Sequence, residues 1–220
     1  MTIINIRGTS GSGKSTVARQ IMALYQPNPL RYREEGRKQP LGYRYKHPNT
    51  PHCMDCERET HRRGVFPRSC GAVDLAVVGH YETDCGGADT IPDYTKLVHL
   101  VKMGAIAGMD VLFEGLLFSG DVKHTVALND WAIQHGTQLH VVAMQMDLDL
   151  CVQSVNDRRN AKAQRLGRSE KPPVNPKNTI AKHRGLTLAC SRLEAEGVTV
   201  HRPEGREATL GLCKQLLGLP

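Results

Sequence analysis

"GTSGSGKS", residues 8–15, has the full G-x-x-x-x-G-K-S spacing, and its surroundings decide how it is read. Before it stand Ile3, Ile4 and Ile6, a short β-branched strand. After it, residues 14–25 carry Val17, Ile21 and Leu24 at helical spacing, with no Gly or Pro between them. Strand, glycine-rich turn and helix in that order bring main-chain N–H groups and the positive end of a helix to one point, which suits a phosphate. Gly8, Ser10, Gly11, Ser12 and Gly13 are therefore expected to form the cradle for ATP. Lys14 is placed to reach the β- and γ-phosphates, and Ser15 to offer its hydroxyl to Mg²⁺, with Thr16 as its neighbour.

Working outward, apolar runs alternate with helical patterns. Strands are predicted at residues 73–79, 110–115, 138–146 and 198–202. Helices are predicted at 92–107, 122–135, 148–156, 178–196 and 208–217. With the first strand this makes five strands, mostly parallel and flanked by helices: an α/β, doubly wound sheet whose ligands bind at the carboxyl ends of the strands. The whole chain, 1–220, reads as one P-loop kinase domain. Residues 28–72 form an inserted basic, Cys-rich segment, and residues 157–177 form a basic lid. Within the insertion, residues 41–46 (LGYRYK) alternate aromatic and basic side chains like an exposed strand.

Composition excludes several classes. With 40% hydrophobic and 23% charged residues the chain is neither disordered nor membranous, and no apolar run approaches the roughly 20 residues of a spanning helix. The N-terminus enters a strand at once, without a basic-then-apolar leader. Seven cysteines, scattered and odd in number, do not suit a disulfide framework. A soluble protein of a reducing cytoplasm is expected. The net charge of +7 is concentrated: between Arg158 and Arg184 nine Lys/Arg face only Glu170. Such local basicity suits a phosphate-rich ligand better than a merely solvated face.

"GHYETDCGGADTIPDY", residues 79–94, sets Glu82, Asp84 and Asp89 among small residues directly after an apolar strand. Acids delivered to the rim of a polyphosphate site are repelled unless they hold a metal, accept a proton or bind the acceptor. Asp84 is the first choice as base for an acceptor hydroxyl, with Glu82 as its competitor. His80, Tyr81, Gly86 and Gly87 line the same stretch, the glycines permitting close approach to a flat substrate. Asp89 either orients that substrate or caps the helix that follows. "VLFEG" ends a strand in Glu114, placed to hold Mg²⁺ through its water shell or to act as the base itself. Cys53, Cys56, His61 and Cys70 form a Cys₃His set suited to structural zinc; the competing reading is an irregular loop with unpaired thiols.

The segment "NDRRNAKAQRLGR" resembles the lid of nucleoside monophosphate kinases, which makes Arg158, Arg159 and Arg165 candidates for closing on the phosphates. Residues 201–205 (HRPEG) lie where such kinases often cradle adenine. Taken together, "VVGHYETDCGGADTIPDY" and "VLFEGLL" resemble bacteriophage P-loop kinases, in particular the 5-hydroxymethyluracil DNA kinases of thymine hypermodification. The resemblance implies transfer of the ATP γ-phosphate to the 5-hydroxymethyl oxygen of a modified base in DNA. A base in duplex DNA would then have to be flipped out. Basic residues between Arg31 and Lys46, interleaved with Tyr32, Tyr43 and Tyr45, suit backbone contact and base stacking. Two other readings stay open at this point: a kinase of free nucleosides, nucleotides or another small metabolite, and a non-catalytic nucleotide-dependent module that docks nucleic acid.

Overall fold

The structure is a computed structural model that describes residues 1–49, 73–83, 86–91, 93–169 and 172–220. Among the described residues, β1 (Thr2–Arg7), β2 (Leu30–Tyr32), β3 (Gly42–Tyr45), β4 (Leu75–Val78), β5 (Asp110–Glu114), β6 (Gln138–Ala143) and β7 (Thr199–His201) form one sheet. Its order is β2-β3-β4-β5-β1-β6-β7. The helices are α1 (Lys14–Met22), α2 (Tyr94–Ile106), α3 (Leu116–Ser119), α4 (Lys123–Gln134), α5 (Leu148–Arg165), α6 (Pro176–Ala195) and α7 (Gly205–Leu216). None of these helices is long and apolar enough to cross a membrane.

Five strands, β4-β5-β1-β6-β7, are parallel, as the sequence pattern predicts. The sheet nevertheless has seven strands rather than five. β3 pairs antiparallel with β4, and β2 antiparallel with β3. Both extra strands come from the segment read as an insertion, and residues 41–46 are not an exposed strand. Tyr43 and Arg44 are buried, and Arg44 forms an ion pair with Asp74 (Nη2–Oδ2 2.6 Å), each side chain 1% exposed. A basic residue goes inside here because its acid arrives from the start of the next strand, a pairing that local pattern cannot reveal. Leaving that guanidinium buried without its carboxylate is costly. Asp74→Ala should destabilise the fold by about 3–5 kcal/mol, whereas replacing both partners by apolar residues should cost far less. Urea denaturation of the single and double variants checks this.

β1 sits at the centre with both its faces buried. Ile3 packs into the cluster under α2 and α4, and Ile4 and Ile6 into the cluster under α1 and α7. Full burial of one such side chain is worth roughly 1.5–3 kcal/mol. The strand order reverses at β1, with β5 on one side and β6 on the other, and that is where an open parallel sheet leaves a crevice at its carboxyl edge. A buried arginine fixes this edge. Arg7 Nε donates to Asn5 Oδ1 (2.6 Å), and Nη1 donates to the carbonyls of Ser119 (3.3 Å) and Asp121 (2.9 Å). Burial lowers its pKa to about 10. The end of β1 is thereby tied to the chain that follows β5.

One element is longer than its pattern suggests. α5 does not stop near residue 156 but runs to Arg165, so the first half of the basic window is helical. Asn156 instead reaches across to the returning chain, its Oδ1 accepting from the Val174 amide at 2.9 Å.

Candidate active site

The turn between β1 and α1 is built around its own lysine. Gly11 and Gly13 have φ of +83° and +96°, which side-chain-bearing residues rarely adopt. At Gly11 a Cβ would also lie 2.2 Å from the Cys151 carbonyl oxygen. Lys14 Nζ donates to the carbonyls of Gly8 and Thr9, both at 3.0 Å, and the lysine is 7% exposed. Burial lowers its pKa, while nearby Glu114 and Asp89 act in the opposite direction. The first amides of α1 have no acceptor within the helix and open towards the same space.

A cavity of about 330 Å³ lies over this turn. Ser10, Gly11, Gly13, Lys14, Ser15 and Thr16 form its floor; Gly86, Asp89 and Glu114 stand across from them, and Arg19, Arg158 and Arg206 reach in from the sides. Ser15 Oγ donates to Glu114 Oε1 at 2.7 Å. Glu114 is 2% exposed, and burial raises its pKa against the opposing pull of Lys14. Parallel pairing positions it: β5 registers Glu114 beside Ile6, one residue before the end of β1. Of the turn residues named from the sequence, Gly8 and Ser12 support the loop from below. Ser12 is buried, and a Cβ on Gly8 would lie 2.7 Å from its Oγ.

The acidic stretch after β4 is only partly as expected. Asp84 lies outside the described residues, as do Cys53, Cys56, His61 and Cys70. Glu82 turns to Arg31 (Oε1–Nε 2.7 Å) and lines a neighbouring cavity of about 530 Å³ with Tyr43, Tyr45 and Tyr81. His80 is buried at 2% exposure with Tyr43 Oη 3.4 Å from its Nδ1, and it borders neither cavity. Asp89 does act as a cap, but not for the helix that follows it. It accepts from the amides of Leu116 (2.9 Å) and Leu117 (3.0 Å) at the start of α3, while Asp93 caps α2 through the Thr95 amide (2.8 Å).

The two glycines are also required by close approach within the protein itself. A Cβ on Gly86 would lie 1.9 Å from the His80 carbonyl oxygen, and one on Gly87 2.3 Å from Glu114 Oε1. Gly87 also has a φ of +85°. Gly87→Ala should therefore behave as a disguised Glu114 variant. Its turnover should fall on the order of 10²-fold, as when a group in a reaction site is displaced, with nucleotide affinity nearly retained. Steady-state kinetics beside calorimetric ATP binding check this.

The basic residues separate. Arg158 borders the cavity over Lys14, whereas Arg159 and Arg165 line a larger one of about 610 Å³ along the outer half of α5. Arg206 was not anticipated. It directly follows residues 201–205, stands at the start of α7, and its Nε donates to the Ser12 carbonyl at 3.3 Å. Together with Ser154 it joins the loop cavity to a fourth space of about 570 Å³ lined by Glu204 and Gly205.

Cations and amides thus converge from three sides on one point, with a carboxylate held across the gap. Charge of that kind is needed where a phosphoryl group is passed between oxygens, and the chain is a kinase. It is 40% identical over 215 residues, 98% of its length and 96% of the other's, to a 5-hmdU DNA kinase of Pseudomonas phage PaMx11, and it belongs to that kinase's family. No protein-family model matches the chain.

Proposed function

We propose that the chain moves the γ-phosphate of ATP to the 5-hydroxymethyl oxygen of 5-hydroxymethyluracil in phage DNA, on a P-loop kinase fold. The donor half rests on the buried Lys14 inside the 8–15 turn, facing Glu114 in one cavity. The acceptor half rests on the identity to a 5-hmdU DNA kinase over nearly the whole chain. The carbonyl bonds of Lys14 are the kind that phosphate oxygens replace, and Arg158 adds a guanidinium fork suited to the spreading charge. The donor's base fits the space beyond Arg206, by Glu204 and Gly205.

Magnesium suits the oxygen pair Ser15 Oγ and Glu114 Oε1, hard ligands at the mouth of the turn, and these two residues would hold it. When bound, the ion neutralises charge on the β- and γ-phosphates. In-line transfer then forms a bond from the hydroxymethyl oxygen to the γ-phosphorus as the bond to the β–γ bridging oxygen breaks, releasing ADP. The hydroxyl proton passes to a carboxylate, for which Asp84 is the choice, because Glu82 is committed to Arg31 on the neighbouring cavity. Asp84→Asn should lower the rate on the order of 10²-fold or more while ATP binding is spared, and Glu82→Gln should do much less. A normal rate for Asp84→Asn would remove that assignment.

The reading is tested with γ-labelled ATP and three acceptors: DNA containing 5-hydroxymethyluracil, ordinary DNA and free nucleosides. Label confined to the first supports it. Label on free nucleosides alone would make the chain a small-molecule kinase.

A further inference from the structure

The 610 Å³ cavity on the outer half of α5 has no place in the donor site just described, yet it is the most cationic space among the described residues. Arg158, Arg159, Lys162, Arg165 and Arg168 line it, with Thr83 of the acidic stretch as the opposite wall. No carboxylate among the described residues lines it. Arg158, Lys162 and Arg165, at spacings of four and three, share one helix face, where like charges destabilise an isolated helix. The negative carboxyl end of α5 compensates for Lys162 and Arg165 in the last turn. It does not compensate for Arg158 and Arg159 two turns earlier, nor for Arg168 beyond the helix. The pattern is complementary to a row of anions.

Location identifies which anions. Arg158 borders both this cavity and the one over Lys14, and Thr83 is held beside α1 by Arg19, whose Nη2 donates to its carbonyl at 2.6 Å. The space is therefore contiguous with the side from which an acceptor must reach the γ-phosphate. If the acceptor hydroxyl belongs to a base turned out of its stack, the sugar-phosphate strand on either side of that base has to pass within a nucleotide or two of the site. Apolar surface from Ala163 and Leu166 lies between the cations, which suits deoxyribose between phosphates.

We infer that this cavity binds the phosphodiester backbone of the acceptor strand next to the target nucleotide. The inference deepens the acceptor reading above and rests on it. The lid's basic residues then divide their work: Arg158 serves the transferring phosphate, and Arg159, Lys162, Arg165 and Arg168 grip the DNA.

The test uses Lys162→Gln/Arg168→Gln, two exposed positions outside the donor site. Anisotropy of a labelled single-stranded oligonucleotide carrying 5-hydroxymethyluracil is followed over a salt series without nucleotide. Each lost phosphate contact removes about 0.7 from the slope of log affinity against log salt, so the double variant should be shallower by roughly 1.4. Its KM for the modified DNA should rise roughly tenfold at moderate salt, with calorimetric ATP affinity unchanged. Equal slopes for wild type and variant, with label transfer to DNA intact, would overturn the cavity assignment and leave the acceptor reading standing. Weaker ATP binding with an unchanged slope would also overturn it, assigning the cations to the donor. A wild-type chain that shows the slope difference but phosphorylates no DNA would refute the acceptor reading and keep the cavity as a DNA-binding surface.

Discussion

Lys14→Ala is expected to lose phosphotransfer by a factor on the order of 10³ or more, the scale of a cation that stabilises a migrating phosphoryl group. Geometry contributes before electrostatics does. The lysine is 7% exposed and is held by two carbonyls of its own turn, so its ammonium is oriented before any ligand arrives. Burial depresses its pKa, yet Glu114 and Asp89 favour the charged form that the site needs. Alanine removes that charge from the floor of the cavity while leaving the turn's glycines and the start of α1 in place. Thermal unfolding should therefore change little while ATP affinity and rate both collapse. A variant that keeps its rate would mean that the turn does not hold the reacting phosphate.

Glu114→Ala is expected to be nearly as severe, through a different parameter. Loss of a group that organises a catalytic metal forfeits several kcal/mol of transition-state stabilisation, about 10³-fold in rate. Glu114 is buried at the end of β5, one hydrogen bond from Ser15 and in the register fixed by the neighbouring strand. Its carboxylate has little freedom to be elsewhere. Because Ser15 and the turn remain, nucleotide affinity without magnesium should be close to normal. The deficit should appear in kcat and in the magnesium concentration needed for half activity. If the variant's magnesium dependence matches wild type while its rate falls, Glu114 is the base and not the metal's holder.

These two residues were legible in the chain because spacing alone constrains them. A glycine-rich turn between strand and helix, and an acid closing an apolar run, carry their meaning locally. The central parallel strands were legible for the same reason, being largely apolar runs buried on both faces, whereas β7 at the edge is only half-buried. What escaped depends on partners distant in sequence. Arg44 looked like surface until Asp74 came to meet it, and with it β2 and β3 joined the sheet. Arg7 carries no local signal, because its guanidinium ties β1 to residues more than a hundred positions away. Asp89 lies just before α2 in the chain yet caps α3. Residues 156–165 are so polar that they read as a helix end, yet α5 continues through them, bringing the cations of its outer half onto one cavity. Arg206 had no local signal beyond following a segment already suspected of holding the donor's base.

The most direct measurement is of the product. Wild-type protein is incubated with ATP, magnesium and DNA carrying internal 5-hydroxymethyluracil, and the DNA is then digested to nucleosides without phosphatase acting on base substituents and weighed by mass spectrometry. A phosphomonoester on the 5-hydroxymethyl group of internal deoxyuridines, absent from the Lys14→Ala reaction, is the predicted result. Phosphate found only at strand termini, or no phosphate on the DNA while ATP is consumed, would contradict the account.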